Sequence, residues 1–190
     1  MTTLDGGDQV AALLALLLVP ISLTDSRRWH WHPCFPRYVE VQGWSLLAIR
    51  MQCSVIYLQA CLAKLSVPEW VDGTALYYWM RHPSFGPPEP LRALTDTIFL
   101  YGPPVAAVTW GTLVLEFCLG IACILPRAVR PPLLSLGITF HLVIACAMGL
   151  WSFAIAMWAV LLLLLHPGDV SFRPTPAHGR AAGAGSRAGP

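Results

Sequence analysis

The chain has 190 residues, of which 56% are hydrophobic and 12% charged, with a net charge of +2. That balance excludes an ordinary soluble domain, because the apolar residues fall in blocks and do not alternate with polar ones. It also excludes nucleic acid as a partner, since the positive excess is small and no Lys/Arg run is interleaved with aromatics. An integral membrane protein is the class that remains, with the lipid bilayer as its first partner.

Residues 1–9 form a short N-terminal segment, MTTLDGGDQ, which holds two aspartates and no basic residue. This is the wrong charge for the leading region of a secretory signal, so the first apolar block is expected to stay in the mature protein. Apolar blocks then run over Val10 to Thr24, Gly43 to Val67, Pro103 to Leu125, Leu133 to Met148 and Leu150 to Leu165. The second and third are long enough to cross roughly 30 Å of hydrocarbon, and the other three are short.

The last two blocks read either as separate helices or as one long helix broken near Gly149. Lys and Arg counts separate the readings. With five spans and the N-terminus outside, the inner side holds Arg27, Arg28, Arg37, Arg127, Arg130, Arg173, Arg180 and Arg187, and the outer side only Arg81 and Arg92. With four spans the tally is five against five. Because basic residues collect on the cytoplasmic side, the expectation is an all-α, polytopic bundle of about five membrane segments, N-out and C-in, in the cell membrane. It occupies residues 10–170.

The longest outer connection is 68–102, where Pro68 stops the second helix and Thr74 is placed to cap a short helix. Trp70, Tyr77, Tyr78 and Trp79 suit the headgroup level. Residues 93–102 either lie along the interface or extend the third span. The tail, 171–190, carries one large apolar residue, Phe172, at its start and reads as disordered. Five cysteines lie inside apolar blocks as small hydrophobes, and spacing gives no disulfide framework.

Four ionisable residues fall inside the spans: Arg50, Lys64, Glu116 and His141. At about 1.5 Å per residue from the inner helix ends, Arg50, Glu116 and His141 come out level at ~9–13 Å, and Lys64 ~30 Å in, beside the outer surface. The three level groups are read as a structural polar cluster that neutralises itself within the bundle, with a proton relay or ligand role as the alternative.

Lys64, the only lysine in the chain, has no such partner at its depth on this count. It shares a seven-residue stripe with Arg50 and Tyr57, with Cys61 one turn away, and that stripe is expected to face the bundle. Two roles stay open: a snorkelling lysine reaching outer water, or a desolvated amine able to act as a base. Asp72 or Glu69 could pair with it from the following loop. In RRWHWHPC (27–34), His30, His32 and Cys34 alternate as an extended strand would need for metal binding, but nothing completes a ligand set. A basic loop anchored by Trp29 and Trp31 is preferred, and no metal site is expected.

The stretch YLQACLAKLSVPEWVDGTALYYWMRHPSFG (57–86) resembles the HTTM membrane family, and within it the branch of sporulation-delaying protein B-like proteins, whose pattern is Y-x-Q-A-G-L-A-K-L followed by W-x-D-G-T-A-x-Y-Y. Tyr57, Gln59, Lys64, Trp70, Asp72, Tyr77 and Tyr78 match, and Cys61 stands where that pattern has glycine. Glu116 and His141 also look like this family, which is related to the vitamin K-dependent gamma-carboxylase. The resemblance implies a membrane protein that assists maturation or export of a secreted peptide toxin with a partner protein. A quinol-linked membrane enzyme with Lys64 as base is the second implication, and a non-catalytic bundle the third. Under the first two, Tyr57, Gln59, Trp70, Asp72, Tyr77 and Tyr78 are candidates for an outer-face pocket, and a quinone or quinol is the possible cofactor. In two respects this chain is expected to depart from the likeness: it has neither the carboxylase's large C-terminal extramembrane domain nor the family's earliest membrane helices.

Overall fold

Helices account for all the regular structure among the residues described by the computed structural model, which are 6–24, 39–83, 85–99 and 101–165. In chain order they are α1 (Gly6–Thr24), α2 (Val39–Leu65), α3 (Pro68–Val71), α4 (Ala75–Met80), α5 (Glu89–Phe99), α6 (Gly102–Gly120), α7 (Arg130–Met148) and α8 (Trp151–Leu165). A 3-10 turn, Arg127–Val129, leads into α7. Arg27, Arg28, Arg37, Arg173, Arg180 and Arg187 of the charge tally lie outside the described residues. So do Trp29, His30, Trp31, His32, Cys34 and the 171–190 tail.

Among the described residues, three helical stretches are long and apolar enough to cross a membrane: Gly43–Leu65, Gly102–Gly120 and Arg127–Met148. Gly7–Leu23 and Trp151–Leu165 are apolar but shorter. The third long stretch corrects the sequence reading, which began the fourth block at Leu133 and called it short. Pro131 and Pro132 sit in the first turn of α7, where the missing N–H costs no intrahelical bond, so the helix starts before them. In the other direction, α6 ends at Gly120, ahead of Leu125, and 121–124 forms turns in which Ala122 is buried and Ile124 exposed.

Gly149 separates α7 from α8. Its φ of 74° is the left-handed conformation glycine adopts without a Cβ penalty, and its N–H bonds to the Ala145 carbonyl, closing the helix end. The chain then folds back, with the Trp158 indole N–H donating to the Ile138 carbonyl at 3.1 Å and Leu161 seated against Gly137. The two form a hairpin, not one broken helix.

At the centre, α2 presents Ile49, Cys53, Tyr57 and Cys61, spaced by four and all buried, to its neighbours α1, α6 and α8. Ile49, Cys53 and Tyr57 share a core with Leu14, Leu119, Val160 and Leu161, whereas Cys61 belongs to a second cluster nearer the end of α2. Helices α2 and α6 run antiparallel. A Cβ on Gly120 would lie 3.1 Å from the Leu58 backbone, Cys123 meets Ser54 at 3.1 Å, and the Cys61 thiol reaches the Leu113 carbonyl.

This register leaves the first turns of α6 projecting beyond the end of α2. Helices α3 and α4 cover the projection: Trp110 donates to the Val71 carbonyl at 3.1 Å, and the Leu76 N–H reaches the Thr109 hydroxyl. Thr74 occupies the N-cap position of α4 as expected, although its hydroxyl turns back to the Glu69 carbonyl. Residues 93–99 belong to α5, a separate helix that packs on α6 and is tied to the end of α4 by an Arg81–Asp96 ion pair at 3.4 Å.

Candidate functional site

Lys64 lies one residue from the C-terminal end of α2, and side chains on a helix lean toward its N-terminus. Its long stem therefore turns back into the bundle. There Nζ donates to both oxygens of Glu116 on α6, at 2.7 and 2.9 Å. The Glu116 side chain is 8% exposed and that of Lys64 25%. Each charge would be costly alone in hydrocarbon, and the pair meets that cost with a two-point, charge-assisted contact.

This contact corrects two expectations. Lys64 does have a partner, and its ammonium does not snorkel outward. Counting helical rise placed the α-carbons at different depths but ignored the direction and length of the lysine stem. Glu69 and Asp72, the partners suggested from the loop, do not take that place.

Trp70 closes the site from above. It is buried, its ring centre is 5.3 Å from Lys64 Nζ, and it packs with Cys61, Ala75 and Leu113. A cation facing an indole ring at this distance is attracted by the ring quadrupole. Pro68 fixes the first turn of α3 and so carries Trp70 back over the end of α2.

A second polar pair lies deeper. Tyr57, 1% exposed, and His141, 2% exposed, are joined by a 3.1 Å hydrogen bond between Oη and Nε2. The Phe140 and Phe153 rings meet the imidazole edge-on at 5.1 and 5.7 Å between centres. His141 Nδ1 is buried with no hydrogen-bond partner among the described residues.

The trio read as one polar cluster is thus divided. Glu116 joins Lys64, and His141 joins Tyr57. Arg50 stands two turns from Tyr57 along α2, where its carbonyl accepts from the Cys123 thiol at 3.7 Å.

The six pocket candidates are likewise distributed. Tyr57 is inside the bundle and Trp70 over Lys64. Asp72, Tyr77 and Tyr78 line a cleft of about 460 Å³ with Gly73, Thr74, Gly102, Val105 and Ala106. Gln59 is exposed on the far side of α2, away from all of them. No group of three or more His, Cys, Asp and Glu among the described residues could hold a metal ion. Sequence reasoning missed the Lys64–Glu116 pair and the Trp70 cover. Of the residues that bring α6 against this end of α2, the sequence displays Gly120 and Cys61, but not the register in which they meet Leu58 and Leu113.

Fold and site define a class: a helical membrane protein with one amine held on a buried carboxylate beneath an indole. The family follows from comparison. The model of the HTTM domain matches residues 13–168, and the chain belongs to the HTTM family. It is 37% identical over 183 residues to the protein YitO of Bacillus subtilis (strain 168), covering 92% of this chain and 58% of that one. It is 35% identical over 171 residues to the sporulation-delaying protein SdpB of the same organism, covering 87% of this chain and 52% of SdpB. The chain thus spans little more than half the length of these relatives. No solved structure matches it.

Proposed function

We propose that this chain is a multi-pass protein of the cell membrane, N-out and C-in, that assists maturation or export of a secreted peptide toxin together with a partner protein. Its working group is the Lys64 amine, presented on Glu116 under Trp70. The observation that carries the reading is that pair, set at the covered end of α2 in a chain 35% identical to a sporulation-delaying protein. Helices α3 and α4 and the Asp72, Tyr77, Tyr78 cleft beside them supply the surface on which a peptide would be received.

Deleting the gene in its own host and profiling secreted peptides by mass spectrometry tests this. One peptide should disappear from the medium or appear in an unprocessed form. The wild-type gene should restore it, and Lys64→Ala at equal membrane abundance should not. An unchanged secreted profile on deletion would contradict the proposal.

A second reading has its own supporting observation: Lys64 is part-exposed and touches a carboxylate that can relieve it of a proton. If the ammonium passes a proton to Glu116, the neutral amine can accept the hydroxyl proton of a quinol, leaving a quinol anion for reaction with oxygen. Quinol-dependent oxygen uptake in membranes, present in wild type and lost in Lys64→Ala, separates this reading from the first.

A further inference from the structure

Opposite the buried line of α2, at heptad spacing, lie Ser45, Gln52 and Gln59, with Ser66 one heptad further just past the helix end, and with Ala48, Val55 and Leu62 between them at the complementary positions. Steps of three and four residues join the whole set into one seam. Gln59, Ser66, Ala48, Val55 and Leu62 are exposed, and Ser45 and Gln52 half-buried at its edge. Both glutamines fall within Gly43–Leu65, the stretch long enough to cross the membrane. Neither amide is hydrogen-bonded to another described residue. A shallow groove of about 510 Å³ runs along the seam between Val55, Leu58, Gln59, Leu62 and Ala63.

A primary amide in hydrocarbon needs partners for two donors and an acceptor, and lipid tails offer none. We propose that this seam is the interface of a parallel homodimer, in which α2 of one copy packs on α2 of a second. Two copies insert with the same orientation, so a two-fold axis along the membrane normal brings like residues together. Gln52 then faces Gln52 and Gln59 faces Gln59, and each amide both donates to and accepts from its counterpart. The regular heptad suits a left-handed crossing, with the polar positions fixing register and two-chain stoichiometry. Val55, Leu62 and Ala48 supply the packing between them. A second copy answers the pattern because the seam is complementary to itself. The proposal is independent of the chemistry at Lys64, which lies on the opposite face of the helix.

The test is self-association of the full chain in lipid nanodiscs or bilayers, by subunit-exchange fluorescence transfer. The dimer should form in wild type, and Gln52→Leu with Gln59→Leu should weaken it by roughly 10-fold or more, the loss of two interhelical amide pairs. Gln59→Asn should retain most of the association. A second readout does not depend on affinity: Gln59→Cys should form an interchain disulfide on mild oxidation, whereas Ala60→Cys, turned toward the bundle, should not. A monomeric wild type, or a dimer indifferent to the double substitution and giving no Gln59→Cys cross-link, would overturn the proposal. So would cross-linking of Gln59→Cys only to a different protein.

Discussion

Lys64 and Glu116, 52 residues apart on antiparallel helices, close a bidentate ion pair at 2.7 and 2.9 Å whose carboxylate side is almost wholly shielded from solvent. Each residue is tolerable where it sits because of the other. The pair also ties the covered end of α2 to the middle of the bundle.

Removing one partner therefore differs from removing both. Glu116→Gln should destabilise the protein by about 2–4 kcal/mol, the lower end reflecting the part-exposed lysine, because it leaves an ammonium without its counter-charge. Lys64→Met combined with Glu116→Leu should recover most of that stability while restoring no function. Thermal unfolding in detergent measures the first effect and secreted-peptide output the second. Equal stability of the single and double variants would contradict this account of the pair.

Since Lys64 is the only lysine, an amine-reactive reagent reports on it almost alone once the N-terminal amine is blocked. Trp70→Ala removes the indole that covers Nζ at 5.3 Å. Labelling of Lys64, measured well below the variant's lowered melting temperature, should then speed up several-fold. An unchanged rate would show that Trp70 does not guard the amine.

Much of this architecture was legible in the sequence, and the reasons it was legible are local. Hydropathy marks the blocks, Gly149 marks the turn between α7 and α8, and Pro68 and Thr74 mark the short helices after α2. Each of these depends on neighbouring residues alone. The site did not yield in the same way, because it depends on register. Gly120 against Leu58 and Cys61 against Leu113 set how far α6 slides along α2, and no spacing within either helix encodes that offset. Depth counting also treats a residue as a point on the helix axis, whereas the lysine stem carries its charge about a turn back toward the α2 N-terminus. His141 illustrates the same limit: its depth came out near that of Glu116, but its partner Tyr57 is set by how α7 sits on α6 and α8, which lets two long side chains meet across the bundle.

Gly120 fixes that register, so its substitution should act on the site from a distance. Any Cβ there would sit 3.1 Å from the Leu58 backbone, which cannot yield as a flexible side chain does. Gly120→Val should cost about 1–3 kcal/mol through overpacking and should loosen the Lys64–Glu116 contact. Faster amine labelling of Lys64 in this variant, with Trp70 intact, is the expected sign. Wild-type stability and labelling would contradict the close α2–α6 contact.

Tyr57→Phe deletes the hydroxyl bonded to His141 Nε2 and leaves both imidazole nitrogens buried without a described partner. The expected loss is about 1–3 kcal/mol. Adding His141→Leu should return part of it, because an apolar side chain asks for no hydrogen bond. Unfolding measurements on the two variants and their combination give the coupling. Additive effects would show that the two side chains do not act as a pair.

The most direct test of the central claim, that the Lys64 amine and not merely its charge is the working group, is the secreted-peptide output of Lys64→Arg in the deletion host at matched membrane levels. Arginine keeps a positive charge able to pair with Glu116 but cannot supply a neutral amine. The account predicts output near that of Lys64→Ala while the melting temperature stays close to wild type. Full output from Lys64→Arg would contradict it and reduce the pair to a structural tie.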